Sequence, residues 1–327
     1  MKGEKRNIVC EALYIKIYLA EKAVYIRGGM EMEYQALSEN IALIAGYNNI
    51  GIIKNGENTV LIDSGNGTKA AKFICKLLTE RDLTPSTIIN THSHADHCGG
   101  NNYIQKKYGV EIISTLKESL FIENPFLESF CFFSGSKPIK ELTNRFLLAA
   151  PSRVTRIITA DEKIRVADFE ISFLSLAGHS PEQIGVVVNN IIFCGDAFFS
   201  EQVLNKYKLP FLCDLDNSIK ALELLLETDY ELYIPSHGEP TRDIATAVEL
   251  NLSKIKKIEN DIILLLERER TTEELLEGLF SQYMIDKLSV QEFFLLRTTV
   301  LAYLSSLCTR SIIKTGFKGS IISWKRI

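Results

Sequence analysis

Three of the chain's five histidines fall in one short run, Thr91-His92-Ser93-His94-Ala95-Asp96-His97-Cys98-Gly99-Gly100. Imidazole nitrogens and carboxylate oxygens at this density suit a cation such as zinc, manganese or iron. The run follows a short apolar strand, Thr87–Asn90, and precedes a helix. In an extended segment, residues two apart point to one side, so His92 and His94 can grip one ion together. Asp96 and His97 fall where the chain turns into the helix and can face a second ion close by. Gly99 and Gly100 let the backbone pack tightly there.

The other candidates are distant in sequence but alike in setting. His179 stands in Leu176-Ala177-Gly178-His179-Ser180-Pro181, at the end of the strand candidate Phe169–Leu176. His237 stands in Ile234-Pro235-Ser236-His237-Gly238, just past Glu231–Ile234. Asp196, in Phe193-Cys194-Gly195-Asp196-Ala197, and Asp63, in Leu61-Ile62-Asp63-Ser64-Gly65, also follow strand candidates. A lone histidine is ordinarily structural, and an Asp beside Ser-Gly is ordinarily a turn. Here every histidine of the chain falls in a strand-end motif, and turn chemistry does not account for that joint pattern.

The ordered set His92-x-His94-x-Asp96-His97, His179, Asp196 and His237, with Asp63 ahead, resembles the metallo-β-lactamase superfamily over about residues 40–240. The resemblance implies an α/β fold, the αββα sandwich, with the site at one edge between two sheets. It implies two divalent metal ions, zinc first, iron or manganese otherwise. His92, His94 and His179 would hold the first ion. Asp96, His97 and His237 would hold the second, Asp196 would bridge both, and Asp63 would orient the site from behind. Aspartate at position 196, where true β-lactamases commonly have cysteine, points to the hydrolase and nuclease branches.

Two cations sharing a water lower its pKa from about 15.7 to about 7. A metal-bridging hydroxide would then attack an ester, thioester, lactone or phosphodiester centre, and the cations would stabilise the charge that develops. No histidine is left over, so proton transfer falls to Asp96 or Asp196, a tyrosine, or solvent. The leading expectation is a small ester, thioester or lactone as substrate, broadly as in hydroxyacylglutathione hydrolases. A metal-dependent endoribonuclease or phosphodiesterase and an iron-dependent sulfur dioxygenase are the alternatives. A complete ligand set argues against a non-catalytic DNA-binding regulator.

The elements that must position these residues are legible as well. Residues 41–65 read as a β-meander, with Asn55-Gly56 as a turn between Gly51–Lys54 and Thr59–Asp63. Ala70, Phe73, Ile74, Leu77 and Leu78 have helical spacing over Lys69–Arg81. Asn101–Tyr108 reads as a helix and Val110–Ser114 as a strand, and this alternation argues for a layered α/β domain. Residues 1–38 look like extra strands leading into the first sheet. From Val154 the β-rich pattern resumes in Arg156–Thr159, Phe169–Leu176, Ile184–Val188 and Ile191–Cys194, followed by a helix over Ser218–Leu226. Residues 115–150 interrupt the rhythm and hold six of the seventeen phenylalanines. They are expected to form a helical insertion, either an apolar wall or lid at the site or ordinary core or dimer packing.

The expected organisation is a catalytic domain over residues 1–240 and a second over 241–327. In the latter, Val248, Leu252, Ile255, Ile258, Ile262 and Leu265 mark one face of a long helix. Thr271 or Thr272 caps a short helix. A third runs from Val290 to Cys308, and Ile312–Thr315 and Ser320–Trp324 form a hairpin around Gly316–Gly319. This order resembles the winged-helix appendage of a β-lactamase-like subgroup that includes an endoribonuclease. Residues 281–327 carry seven Lys or Arg and two acids, net +5, so a phosphate-contacting wing stands against a solvated face or a dimer contact.

Whole-chain properties bound the rest. The 327 residues are 46% hydrophobic and 24% charged, which excludes a wholly disordered chain. A net charge of −4 disfavours a polyanion binder, so nucleic acid ranks behind a small molecule as partner. No apolar stretch is long enough to span a membrane. Glu11, Lys16, Glu21 and Lys22 break any signal-peptide core. Seven scattered cysteines without a Cys-x-x-Cys pair suggest reduced thiols in a cytoplasm, serving as small buried hydrophobes.

Overall fold

A computed structural model describes residues 23–27, 30–166 and 168–327, with side chains from Met32 onward. Residues 1–22, and with them Cys10, lie outside the described residues, so the expectation of extra N-terminal strands is met only from Ala23 on.

Eight strands form the first sheet in plain sequence order: β1 (Ala23–Arg27), β2 (Met30–Ala36), β3 (Ile41–Ala45), β4 (Ile50–Asn55), β5 (Asn58–Ile62), β6 (Thr84–Ile89), β7 (Glu111–Thr115) and β8 (Arg156–Ile158). The first five pair as an antiparallel meander, and Gly56 adopts φ 58° in the turn between β4 and β5. From β5 onward the pairing is parallel, because each connection is a crossover through helix. Gly67–Thr79 links β5 to β6, and Asn101–Tyr108 links β6 to β7. The second sheet runs β13-β12-β11-β10-β9. Its strands are β9 (Lys163–Val166), β10 (Phe169–Ser175), β11 (Ile184–Val188), β12 (Ile191–Phe193) and β13 (Leu232–Ile234).

The apolar runs in β4 and β5 have no polar face because both faces are covered. On one face, Ile41, Leu43, Ile53, Ile62 and Ile113 meet Ile171, Phe173, Val186 and Phe193 of the other sheet. On the outer face, Ile44, Ile52, Leu61 and Ile88 pack on Ile74, Leu77, Leu78 and Ile104 of two helices. The second sheet is covered by Leu222 and Leu225 of the helix Leu215–Leu226 and by Val248 of Ile244–Leu265. The layers are therefore helix, sheet, sheet, helix, the αββα arrangement expected. Each of these fully buried side chains contributes about 1.5–3 kcal/mol.

Residues 115–150 form two short helices, Leu116–Glu123 and Phe126–Phe132, then a turn of 3-10 helix, Lys140–Leu142. Phe132, Leu142 and Leu147 bury against Phe211 and against Phe294 and Leu295 of the C-terminal region. Phe126, Phe130 and Phe146 remain exposed.

The C-terminal region holds three helices, Ile244–Leu265, Thr272–Gln282 and Val290–Thr309, and a small sheet of β14 (Arg270–Thr271), β15 (Ile313–Lys318) and β16 (Ile321–Arg326). The helix starts are written in the sequence. Asp243 accepts from Thr246 N–H, and Thr271–Glu274 and Ser289–Glu292 form capping boxes. Ile258 and Ile262 of the long helix join Leu275, Leu279 and Tyr303 in one core, which also takes in Leu209, Leu212 and Leu215.

Several boundaries differ from expectation. Strand β9 and the helix Glu201–Lys206 are too short to give a periodic signal. The helix expected from Ser218 starts at Leu215, because Asp214 accepts from Asn217 N–H and caps it. The final hairpin turns at Gly319-Ser320, where Gly319 has φ 66°, and Gly316 lies inside β15 opposite Ser323. Among the described residues, Cys75, Cys98 and Cys194 are buried, Cys213 and Cys308 are half-buried and Cys131 is exposed, all as free thiols.

Candidate metal centre

Every candidate lies just beyond the C-terminal end of a strand, at the edge where the two sheets meet. Asp63 follows β5, the His92–His97 run follows β6, His179 follows β10, Asp196 follows β12 and His237 follows β13. His94 is extended (φ −61°, ψ 149°), and a one-turn helix, Ala95–Cys98, begins after it. That change of conformation sends Asp96 and His97 toward a different point from His92 and His94. The glycines behind the turn have no alternative. A Cβ on Gly99 would stand 2.2 Å from the Ala95 carbonyl, and one on Gly100 2.2 Å from that of Ser64.

The structure brings all seven expected ligands together. His92 Nε2 lies 3.0 Å from His94 Nδ1, and His94 Nδ1 lies 2.9 Å from His179 Nε2. His97 Nε2 stands 3.7 Å from both Asp96 Oδ2 and Asp196 Oδ1. His237 Nε2 is 3.3 Å from Asp96 Oδ2. Asp196 Oδ2 sits between the two groups, 3.3 Å from His179 Nε2 and 3.6 Å from His237 Nε2. Two sets, His92–His94–His179 and Asp96–His97–His237, thus each place three ligand atoms within 4.8 Å of one another.

In four of the five rings, His94 being the exception, a contact to the outward nitrogen turns the other one inward. His97 Nδ1–H donates to Asp63 Oδ2 (2.9 Å), His179 Nδ1–H to the Phe211 carbonyl (3.1 Å) and His237 Nδ1–H to the Tyr47 carbonyl (2.7 Å). His92 Nδ1 is 3.1 Å from the Thr91 hydroxyl, whose own proton goes to Asp63. Such partners fix the tautomer and aim the other nitrogen inward. In the first set, His94 Nδ1 stands at hydrogen-bond distance from both His92 Nε2 and His179 Nε2, whose outward nitrogens carry their protons, so at least two lone pairs converge there, an arrangement that favours a cation. His97 Nε2 and Asp196 Oδ1 give a second indication. Both are buried without a hydrogen-bond partner, a state otherwise confined, among the side-chain atoms of the described residues, to the hydroxyls of Thr59, Ser114 and Ser152. The donor set fits a metal ion.

Charge separates the two halves. Burial, reinforced by neighbouring imidazoles, pulls His92 and His179 well below the ordinary histidine value. Burial brings His94 down to about 4 despite the nearby Asp96. Burial also opposes charge on His97 and His237, but the carboxylates of Asp96 and Asp196 override it and raise them to about 9 and about 10. For Asp96, burial alone would raise the carboxyl, yet His97 and His237 hold it far below its usual range.

Asp63 lies behind the His97 ring and the Thr91 turn. It adopts φ 64° and accepts from Thr91 N–H, the Thr91 hydroxyl and His97, so the strained backbone is held by three bonds at the site.

Other supports carry no sequence signal. Asn49 Nδ2–H donates to the carbonyls of Pro235 (2.7 Å) and Gly238 (2.8 Å), holding the His237 loop. Buried Gln183 accepts from Asp196 N–H (3.0 Å) and donates to the Leu176 carbonyl (3.0 Å). From the 115–150 insertion, Glu128 Oε1 comes within 3.6 Å of His94 Nε2, and burial raises its carboxyl well above the usual range. Glu118, from the same insertion, is wholly buried beside the turns that carry His94 and His179. A cavity of about 130 Å³ opens on His94 and His179, walled by Phe121, Phe132, Pro181 and Phe211.

Comparison with known proteins agrees with the geometry. The family model of the Metallo-beta-lactamase superfamily matches residues 43–237. The chain is 26% identical over 208 residues to hydroxyacylglutathione hydrolase GloC of Haemophilus influenzae, covering 62% of this chain and 91% of that one. It is 26% identical over 137 residues to glyoxylase B2 of Dictyostelium discoideum, of which it spans only 43%. In fold it is similar to a metallo-beta-lactamase family protein from Thermus thermophilus, with a TM-score of 0.67 at 20% identity, covering 88% of this chain and 94% of that one. With a family match over most of the sandwich, and the seven side chains gathered at its edge, the chain belongs to the metallo-beta-lactamase superfamily.

Proposed function

We propose that the chain, a hydrolase by family, cleaves a small ester, thioester or lactone at a centre of two divalent ions, with zinc as the native metal. The convergence of seven imidazoles and carboxylates at the sheet edge carries this reading. His92, His94 and His179 would hold one ion and Asp96, His97 and His237 the other, with Asp196 facing both. A nitrogen-rich set of this kind suits zinc better than magnesium or calcium. Bound there, the ions supply Lewis-acid polarisation and lower the pKa of water.

The chain's own groups do the rest. Proton transfer falls to Asp96 or Asp196: Asp96 is the more accessible, with 22% of its side chain exposed against 6%, while burial raises the Asp196 carboxyl toward a value that can hold a proton. Asp63 keeps the His97 ring turned inward. The apolar cavity beside His94 and His179 takes the acyl part of the substrate and keeps water from its far side.

The C-terminal charges favour a small substrate over RNA. Arg297, Arg310, Lys318 and Arg326 meet Glu273, Glu259, Glu274 and Glu267, so four of the seven cations between residues 281 and 327 are already opposed by acids. The six described cysteines are all free thiols, which supports a reducing cytoplasm as the setting. The test is metal analysis of purified protein followed by a panel of thioesters, lactones, phosphodiesters and RNA. Turnover of an acyl substrate is expected. Cleavage of RNA alone, or iron with oxygen uptake, would replace this reading.

A further inference from the structure

We infer that Glu118 is a positioning residue for the first ion, a carboxylate brace through which the Phe-rich insertion fixes the separation of the two turns bearing His92, His94 and His179. The inference rests on the proposed two-ion centre and adds a part to it.

Glu118 lies on the helix Leu116–Glu123, which begins directly after β7. Its side chain is fully buried, and both oxygens are used twice. Oε2 accepts from Ser93 N–H (3.0 Å) and the Ser93 hydroxyl (2.6 Å). Oε1 accepts from the Ser180 hydroxyl (2.8 Å) and Glu182 N–H (2.8 Å). Ser93 stands between His92 and His94, and Ser180 follows His179. One carboxylate therefore ties together two turns that are more than eighty residues apart in sequence and that supply all three imidazoles of the first set.

The chemistry of the bonds specifies the residue. Two of the four donors are backbone N–H groups that cannot rotate away. Only an ionised carboxylate accepts four such bonds and brings no donor of its own. Glutamine would set an NH₂ against one turn, and aspartate, a methylene shorter, cannot reach both turns. A buried charge is costly where apolar side chains would fill the space. Its value here lies in geometry, since the three imidazole nitrogens must meet at one point. Glu118 touches none of the ring nitrogens, so it acts through the two turns.

The test is a stepwise zinc titration of the metal-free, full-length protein, with wild type, Glu118→Gln and Ser180→Ala compared against a competing chelator and thermal stability read in parallel. In the wild type, two binding steps are expected. In Glu118→Gln, one step weakens about 10–100-fold, the cost typical of removing an outer partner of a metal ligand, and the other is unchanged. Ser180→Ala, which deletes one of the four bonds, weakens the same step by less and decides the matter should Glu118→Gln fail to fold. Equal affinities in variant and wild type at both steps would overturn the brace. So would loss of both steps in proportion to a fall in thermal stability. A wild type that takes up no zinc would instead overturn the two-ion reading itself.

Discussion

At the sheet edge, His97 Nε2 and Asp196 Oδ1 are buried, face one another and lack a hydrogen-bond partner. In the C-terminal region, Asp261, Thr271, Thr272 and Ser323 are also buried, and each is answered. Asp261 accepts from the Tyr283 hydroxyl (2.7 Å), Thr271 from Glu274 N–H (3.2 Å) and Thr272 from the Trp324 indole (3.0 Å), while Ser323 donates to Glu269 (2.6 Å). Native chains rarely leave buried polar atoms unpaired, and where they do, the exception points to a bound ion or water or to function. The C-terminal region satisfies itself and reads as scaffold. The edge satisfies the outward side of four of its five rings, and the inward side is shaped for cations.

The strongest blow to that contrast is His94→Ala. It removes one of three converging nitrogens, so metal content should fall and hydrolysis should drop by more than the roughly 10–100-fold typical of an outer partner. Elemental analysis and turnover on the same preparation check this, and unchanged metal with full activity would discard the site.

Metal removal comes next. At free metal of about 100 Kd, binding adds about 2.7 kcal/mol. Chelation should therefore lower the Tm by roughly 4 °C for each ion lost in a chain of this size. No change in Tm would mean that the edge is already balanced without ions.

A smaller effect belongs to the scaffold. Asp261→Asn should destabilise by about 1–3 kcal/mol, the cost of disrupting a buried bond to a charged group, and leave hydrolysis intact. Burial alone would raise the Asp261 carboxyl, but Lys257 and Tyr283 bond to it and pull it down. Its folded value is thus below the unfolded one, so its contribution is present above about pH 4 and lost as pH falls further. Burial, with Asp261, raises Tyr283 to about 12. That contribution is present below about pH 10 and lost as pH climbs toward the folded value. Denaturant melts across pH should show both limbs in the wild type, with the acid limb flattened in the variant.

The smallest effect should come from the β15–β16 hairpin. Lys314→Glu combined with Lys325→Glu is expected to leave acyl hydrolysis unchanged and to reveal no salt-sensitive affinity for oligonucleotides in the parent. A wild-type affinity that falls steeply with salt and disappears in the variant would move the hairpin from scaffold to nucleic-acid surface.

The same contrast governs what the sequence revealed. The candidate ligands were legible because imidazole is scarce, and all five histidines occupy one kind of place, the short segment beyond a strand. The long helices were legible from apolar spacing and from Thr271–Glu274 and Ser289–Glu292. Glu118 and Gln183 were not, because a single acid or amide in an amphipathic stretch carries no pattern until tertiary contacts give it partners. The true start of the helix at Leu215 was hidden for a related reason. Asp214 is one acid among many in the sequence, and only its bond to Asn217 N–H makes it a cap.

The central claim meets its most direct test in elemental analysis of the purified chain before and after dialysis against a chelator, with turnover of an acyl substrate followed throughout. The account predicts two divalent ions per chain, loss of turnover as they leave and recovery when zinc is returned. Full turnover from metal-free protein would contradict it.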